Sequence, residues 1–150
     1  MSRLDEIISE FQSVDDELRL AMLLDFANRL PPLPPEFAEQ RDRGEHRVPE
    51  CMTPVFLWVV REDDGGEGRI RLHADVAEES PTVRGILSLV VHAYDGAAPR
   101  ELASLPTDLV NRLGLQRQIR MNRAVGLNAI LQRIRREAGV AAQPAGEARQ

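Results

Sequence analysis

The sequence predicts an α+β fold in which a small, mostly antiparallel β-sheet is packed against helices. Three observations carry this prediction. Apolar residues at helical spacing occupy both ends of the chain, one continuous apolar run lies near its middle, and an alternating segment follows that run after a glycine-rich turn. The 150 residues, 43% of them hydrophobic and 29% charged, suit one compact domain.

Two helical segments are predicted before the first proline pair. In the first, Ser2 and Asp5 form a capping-box pattern beside an apolar stripe made of Leu4, Ile7, Ile8 and Phe11. In the second, a further stripe consists of Leu18, Met22, Phe26 and Leu30. Pro31 and Pro32 make further helix impossible. The pattern fits either an antiparallel helical pair or one kinked helix.

A β-hairpin is predicted in the middle of the chain, after a long proline-rich and charged connection over residues 31–50 with room for a short helix over 36–41. The apolar run 55–60 contains β-branched and aromatic residues, which is typical of a strand buried on both faces. After a glycine-rich turn, every second residue from Ile70 to Ala74 is apolar, as in a strand with one wet face.

Helices are predicted again after the hairpin. Ser80 as N-cap and Pro81 at the first helical position begin one that ends at Asp95. Two shorter helices are expected to begin at Pro99 and Pro106.

The last helix is expected to begin near Asn122. From residue 138 onward the chain is rich in Gly, Ala, Pro and Gln without an apolar period. The sequence therefore predicts one domain over residues 1–137 and a disordered C-terminal tail over residues 138–150.

Composition excludes several classes of function. A net charge of −5 argues against a nucleic-acid partner, and the apolar runs are too short to span a membrane. No export signal is visible at the N-terminus, so a cytoplasmic protein is expected, in a reducing compartment that keeps its single cysteine free. The one Cys and three scattered His lack the set spacing that a zinc or iron-sulfur site needs, and no Walker, dinucleotide-binding or serine-hydrolase motif is present.

Cys51 is the candidate reactive residue. An isolated Cys is often a small buried hydrophobe, but this one follows a polar loop ending in Glu50 and precedes the first strand, a position expected to be exposed enough to react. His46 lies shortly before it and is either a base for the thiol or a solvated loop residue. His73 and His92 lie outside the apolar stripes of their predicted strand and helix, so both are expected at the surface.

A series of short motifs lies along the chain in a particular order and spacing. They are Leu23-Leu24-Asp25-Phe26 before Leu30-Pro31-Pro32-Leu33-Pro34, Cys51 before Val55-Phe56-Leu57-Trp58, Ala74-Asp75, Val83-Arg84-Gly85-Ile86-Leu87, Tyr94-Asp95-Gly96 with Pro99-Arg100-Glu101, Leu113-Gly114-Leu115, and Arg123 with Gly126-Leu127-Asn128-Ala129-Ile130. In this arrangement the sequence resembles the SufE family, the sulfur acceptors that work beside cysteine desulfurases in iron-sulfur cluster assembly. The resemblance implies a SufE/IscU-like fold.

The resemblance also implies a function. Cys51 would accept sulfur as a persulfide from a SufS-like cysteine desulfurase, stimulate that enzyme, and pass the sulfur to a SufB-like cluster scaffold. No cofactor is implied on this chain, since pyridoxal phosphate belongs to the desulfurase. Arg123 would stabilise the Cys51 thiolate, and Asp75 would orient Arg123 or the cysteine loop. A homodimer is left open.

Two other functions are compatible with the sequence. Glu50 stands where the family usually has glycine, and a charge there is compatible with an adaptor or regulator that binds the desulfurase without carrying sulfur. A third hypothesis is an independent thiol enzyme that reduces peroxide with Cys51. The chain has no second Cys to resolve an oxidised thiol, which counts against this enzyme.

Overall fold

A two-stranded antiparallel sheet is packed against helices, which confirms the predicted α+β class. A computed structural model describes residues 2–143, apart from the side chains of Met121 and Asn122. Its elements are α1 (Arg3–Gln12), α2 (Asp16–Asn28), α3 (Pro35–Asp42), β1 (Val55–Glu62), β2 (Arg69–Val76), α4 (Pro81–Tyr94), α5 (Pro99–Ala103), α6 (Leu109–Arg112) and α7 (Met121–Ala142).

The first two helices are separate. The predicted capping box forms at the start of α1, where the Asp5 N–H donates to Ser2 Oγ and the Ser2 N–H donates to the Asp5 carboxylate, both at 3.1 Å. A new helix begins after Asp15, whose carboxylate accepts the Leu18 N–H at 2.9 Å. The apolar stripe predicted for α2 is wrong in part, because Leu18 is exposed and Leu23 is buried instead.

The central helix α4 is buried along most of its length and packs against both α2 and β2. Gly85 permits the close approach of α2, since a Cβ at this position would lie 2.6 Å from the carbonyl oxygen of Leu23. The Arg84 guanidinium donates to the carbonyl oxygens of Ala27 at 2.9 Å and Val76 at 2.8 Å. Helix α4 is thereby bonded to the end of α2 and to the end of β2.

The hairpin forms in the predicted place. β1 and β2 pair with Val55 opposite Val76 and Glu62 opposite Arg69. Burial alternates along β2, as predicted, whereas β1 is buried on both faces only around Leu57 and Trp58.

The C-terminal region differs from the prediction in two respects. The helix expected from Pro106 is reduced to the single turn of α6. Helix α7 runs past the predicted boundary at residue 138 and ends at Ala142, because the small side chain of Ala138 continues the buried stripe and is fully buried. Residues 144–150 of the predicted tail lie outside the described residues. None of the helices in residues 2–143 has the length and apolar character needed to cross a membrane.

Candidate functional site

Cys51 points into the protein. It lies in the cysteine loop, which we define as residues 43–54 between α3 and β1, and it is 7% exposed. The loop folds back along β1: the Val48 N–H donates to the Val55 carbonyl oxygen at 2.8 Å, and the Cys51 N–H donates to the Val48 carbonyl oxygen at 3.4 Å. The prediction of an exposed cysteine is therefore wrong, because these bonds turn the loop inward over the core.

The Cys51 side chain borders a pocket of about 520 Å³, called here the cysteine pocket. Three segments of the chain form it: the cysteine loop, the first turn of α4 and the first turns of α7. The lining residues are Glu50, Cys51, Met52, Thr53, Val83, Arg123, Val125 and Gly126. Residues far apart in the sequence thus surround the one thiol of the protein.

Gly126 brings the backbone of α7 directly against the cysteine. A Cβ at this glycine would lie 3.5 Å from Cys51 Sγ and 3.8 Å from Cys51 Cα. Gly126 belongs to one of the motifs in the sequence, but no role was predicted for it. The available signal was a glycine inside a helix, which costs about 1 kcal/mol relative to alanine and so calls for a packing reason.

Arg123, the predicted partner of Cys51, lines the same pocket. Its side chain is half-buried, and its guanidinium donates to Thr82 Oγ1 in the first turn of α4 at 3.4 Å. The structure therefore places Cys51 and Arg123 at one pocket, with a positively charged side chain among the residues that line it.

Asp75 lies near the end of β2 but outside the set of residues that line the cysteine pocket. Its carboxylate accepts a hydrogen bond from the Arg41 guanidinium of α3 at 3.2 Å, and both side chains are about one-third exposed. This ion pair connects β2 to the helix that precedes the cysteine loop. Arg41 was not predicted as a site residue, and the sequence carries no local signal for this contact.

A hydroxyl pair anchors the C-terminal end of the cysteine loop. Thr53 Oγ1 and Ser80 Oγ lie 2.9 Å apart, and Ser80 is buried. Ser80 is the N-cap residue of α4, as predicted, but its hydroxyl makes no capping bond to the helix. The same hydroxyl instead connects the start of α4 to the segment that follows Cys51.

The histidines lie outside the cysteine pocket. His46 has a positive φ of 63° and is exposed, and its ring stacks on Trp58 with centroids 5.4 Å apart. His73 and His92 are half-buried rather than at the surface, because aromatic rings cover them: Phe37 lies 4.7 Å from His73 and Phe26 lies 5.8 Å from His92. Within residues 2–143, no group of three or more His, Cys, Asp or Glu residues is placed to hold a metal ion.

The rim of the cysteine pocket is apolar and exposed on two sides. Met52 is 92% exposed and Val125 is 64% exposed, although both are large hydrophobic residues. Glu50 adds one exposed carboxylate to the same rim. Exposed apolar side chains that cluster at a pocket mark a surface suited to a protein partner.

A family model and two similar proteins indicate the family of this chain. The sequence model of the SufE family, described as an Fe-S metabolism associated domain, matches residues 5–138. A SufE-like protein of Mycobacterium tuberculosis is 38% identical over 133 residues, which cover 89% of each chain. The sulfur acceptor protein CsdE of Escherichia coli is 30% identical over 121 residues, or 80% of this chain and 75% of CsdE.

A solved structure shares the fold. The solution structure of a hypothetical protein from Thermus thermophilus superposes with a TM-score of 0.74 and 31% identity, covering 94% of this chain and 98% of that one. The family match spans the hairpin, every residue that lines the cysteine pocket, and the core apart from Leu4. The chain therefore belongs to the SufE family, the proteins of the Fe-S metabolism associated domain.

Proposed function

We propose that this protein is a sulfur acceptor that receives persulfide sulfur on Cys51 from a cysteine desulfurase, stimulates that enzyme and passes the sulfur to an iron-sulfur cluster scaffold. The observation that carries the proposal is the placement of the single thiol in a pocket shared with Arg123. Membership of the SufE family and the similarity to a protein named as a sulfur acceptor support it. The proposed partners are a SufS-like desulfurase, which contributes its own pyridoxal phosphate, and a SufB-like scaffold.

The transfer is a thiol exchange at sulfur. Cys51 loses its proton, and its thiolate attacks the outer sulfur of the donor persulfide. The sulfur–sulfur bond of the donor breaks, a new one forms at Cys51, and the donor cysteine leaves as a thiolate. The number of electrons on the two proteins together does not change. Arg123 stabilises the negative charge on the sulfur atoms at the pocket throughout this exchange.

Burial of Cys51 requires the cysteine loop to move during transfer. A disulfide-type bond is about 2.05 Å long, so the partner's sulfur has to come into full contact with a cysteine that is only 7% exposed. We expect the Thr53–Ser80 contact to open when the donor docks. Hydrogen exchange over residues 44–54 that is equally slow with and without the desulfurase would contradict this movement.

Asp75 is proposed as a positioning residue rather than a group that touches sulfur. Its ion pair with Arg41 holds α3, and α3 ends where the cysteine loop begins. Asp75 thus acts on the loop through Arg41. If so, Asp75→Asn and Arg41→Gln should change sulfur acceptance by the same factor, and the double variant should add nothing further.

The decisive experiment combines the protein with a cysteine desulfurase from the same organism and L-cysteine, without reductant. Intact-mass spectrometry should show the added mass of one sulfur atom in the native protein and none in Cys51→Ser. Cys51→Ser should also lose the stimulation of the desulfurase. A protein that neither binds the desulfurase nor gains sulfur would overturn the proposal.

The adaptor remains the second candidate function, and one observation favours it. Glu50 lines the cysteine pocket beside Cys51, where its negative charge opposes a second negative charge on sulfur. An adaptor would stimulate the desulfurase equally well as Cys51→Ser and would stay unmodified. If the protein is a carrier that this charge slows, Glu50→Gly should accept sulfur faster than the native protein. If it is an adaptor, neither protein should accept sulfur.

A further inference from the structure

We propose that Met52 is an oxidation site through which peroxides control the docking of the sulfur donor. The inference rests on the proposed function, because it concerns the same pocket. Met52 is 92% exposed, and it lines the cysteine pocket beside the buried thiol of Cys51. Of these two neighbouring residues, Met52 is open to solvent and Cys51 is buried.

Exposure distinguishes Met52 from the other sulfur-containing side chains that the structure describes. Oxidation of a sulfur side chain depends on its access to the oxidant. Cys51 is 7% exposed, and Met22 is half-buried against the hydrophobic core. Among the side chains that the structure describes, Met52 therefore carries the accessible sulfur.

Docking must cover Met52. Sulfur transfer brings the donor's sulfur to within about 2.05 Å of Cys51 Sγ, so the surface of the donor protein has to enclose the neighbours of Cys51. Met52 and Val125 are the two exposed apolar side chains on this rim. Methionine is enriched at interfaces and adapts its shape to a partner, so Met52 is suited to an apolar contact with the desulfurase.

Oxidation changes this contact by a balanced two-electron step. The thioether sulfur of Met52 takes one oxygen atom from hydrogen peroxide. The oxygen–oxygen bond breaks, a sulfur–oxygen bond forms, and the peroxide is reduced to water while the thioether is oxidised. The sulfoxide is polar, and covering it with an apolar partner surface costs free energy. Sulfur acceptance therefore falls when peroxide is present, and methionine sulfoxide reductase restores it.

The chemical part is tested on the full chain alone. The protein is treated with hydrogen peroxide, and the oxidation of each methionine is followed by peptide mass spectrometry. We expect Met52 to be oxidised several times faster than Met22. Equal or slower oxidation of Met52 would overturn the proposal, whatever the desulfurase does.

The docking part uses matched variants. After peroxide, all samples are reduced with dithiothreitol and their free Cys51 thiol is counted, so that only methionine oxidation remains. The KM of the desulfurase for the native protein should rise about tenfold on treatment and return after methionine sulfoxide reductase. For Met52→Leu, the ratio of KM values after and before treatment should stay near one. Met52→Gln, a polar mimic of the sulfoxide, should show a raised KM without peroxide.

Two results would contradict the docking role. An unchanged KM for the oxidised native protein would remove it, and so would an equal rise for treated Met52→Leu, since the effect would then come from another residue. Failure of the proposed function is recognised separately. In that case the untreated native protein takes up no sulfur, although Met52 is still oxidised ahead of Met22.

Discussion

Gly126 leaves room beside Cys51 that any other residue would occupy, since a Cβ at position 126 would lie 3.5 Å from Cys51 Sγ. That distance is ordinary van der Waals contact for a thiol. A persulfide is longer by one sulfur atom, at a bond length of about 2.05 Å. The absence of a side chain at Gly126 therefore matters more after the sulfur has been accepted than before.

Gly126→Ala should make the protein more stable and slow its uptake of sulfur. Alanine in the helix raises the free energy of unfolding by up to about 1 kcal/mol, and its methyl group does not collide with the thiol. The same methyl takes space that the second sulfur needs, so the initial rate of sulfur uptake should fall several-fold. Rapid quenching followed by intact-mass spectrometry measures that rate, and urea unfolding measures the stability.

Gly139→Ala is the matched control for this variant. Gly139 lies in the same helix, and a Cβ there meets nothing within 4 Å. It should gain similar stability and accept sulfur at the native rate. Native uptake by Gly126→Ala as well would show that the pocket has room to spare and that Gly126 has no role in holding the persulfide.

Arg123 should be required for rate rather than for folding. Arg123→Gln removes the positive charge at the cysteine pocket, and we expect sulfur uptake to slow by about tenfold because the negative charge on sulfur loses its stabilising partner. Arg123→Lys keeps the charge and should recover part of the rate. Arg120→Gln removes an equal charge from the exposed residue just before α7 and serves as the control. Uptake that slows equally in both glutamine variants would indicate a general charge effect.

Much of the fold was predictable because short sequence patterns mark where its helices and strands begin and which faces they bury. The capping box of Ser2 and Asp5 and the alternation in β2 each appear where the sequence predicts them. The end of α7 was missed for a physical reason. Ala138 is fully buried, yet its small side chain adds little to hydrophobic periodicity. The last turn of α7 therefore has the composition of a linker, although it is helical.

The sequence predicted residues of the candidate site but not the contacts that surround them. Motif resemblance selected Cys51 and Arg123, and the structure places both at one pocket. The burial of Cys51 depends on loop bonds to β1, and the partner of Asp75 is Arg41 of a different element. Such tertiary contacts join residues far apart in the sequence, so no local pattern reports them.

Gly85 should be the glycine whose replacement damages the core. A Cβ there would lie 2.6 Å from the backbone oxygen of Leu23, which cannot move without displacing α2. We expect Gly85→Ala to lower the free energy of unfolding by about 1–3 kcal/mol, despite the better helix propensity of alanine. Urea unfolding followed by circular dichroism measures this change. Gly139→Ala is the control, and its free energy of unfolding should rise instead. Equal gains in stability for both variants would mean that α2 and α4 can separate freely.

His73 should make stability depend on pH. Burial lowers the pKa of His73 from its ordinary value of 6.5, and this effect exceeds the opposing attraction of Asp95 and Glu36. The unfolded chain then binds a proton at a higher pH than the folded protein does. As the pH falls below about 6.5, unfolding takes up protons and the free energy of unfolding decreases. Stability should therefore be lower at about pH 5 than at about pH 7.5.

His73→Gln isolates the contribution of this one imidazole. The variant keeps a polar side chain facing Phe37 but has no charge to gain, so its free energy of unfolding should change less between the two pH values. Urea titrations of both proteins at both pH values give the comparison. Every other ionisable group is shared by the two proteins, so the effects of those groups cancel in the difference. A pH dependence that is identical in the two proteins would show that Phe37 and its neighbours do not restrict protonation of His73.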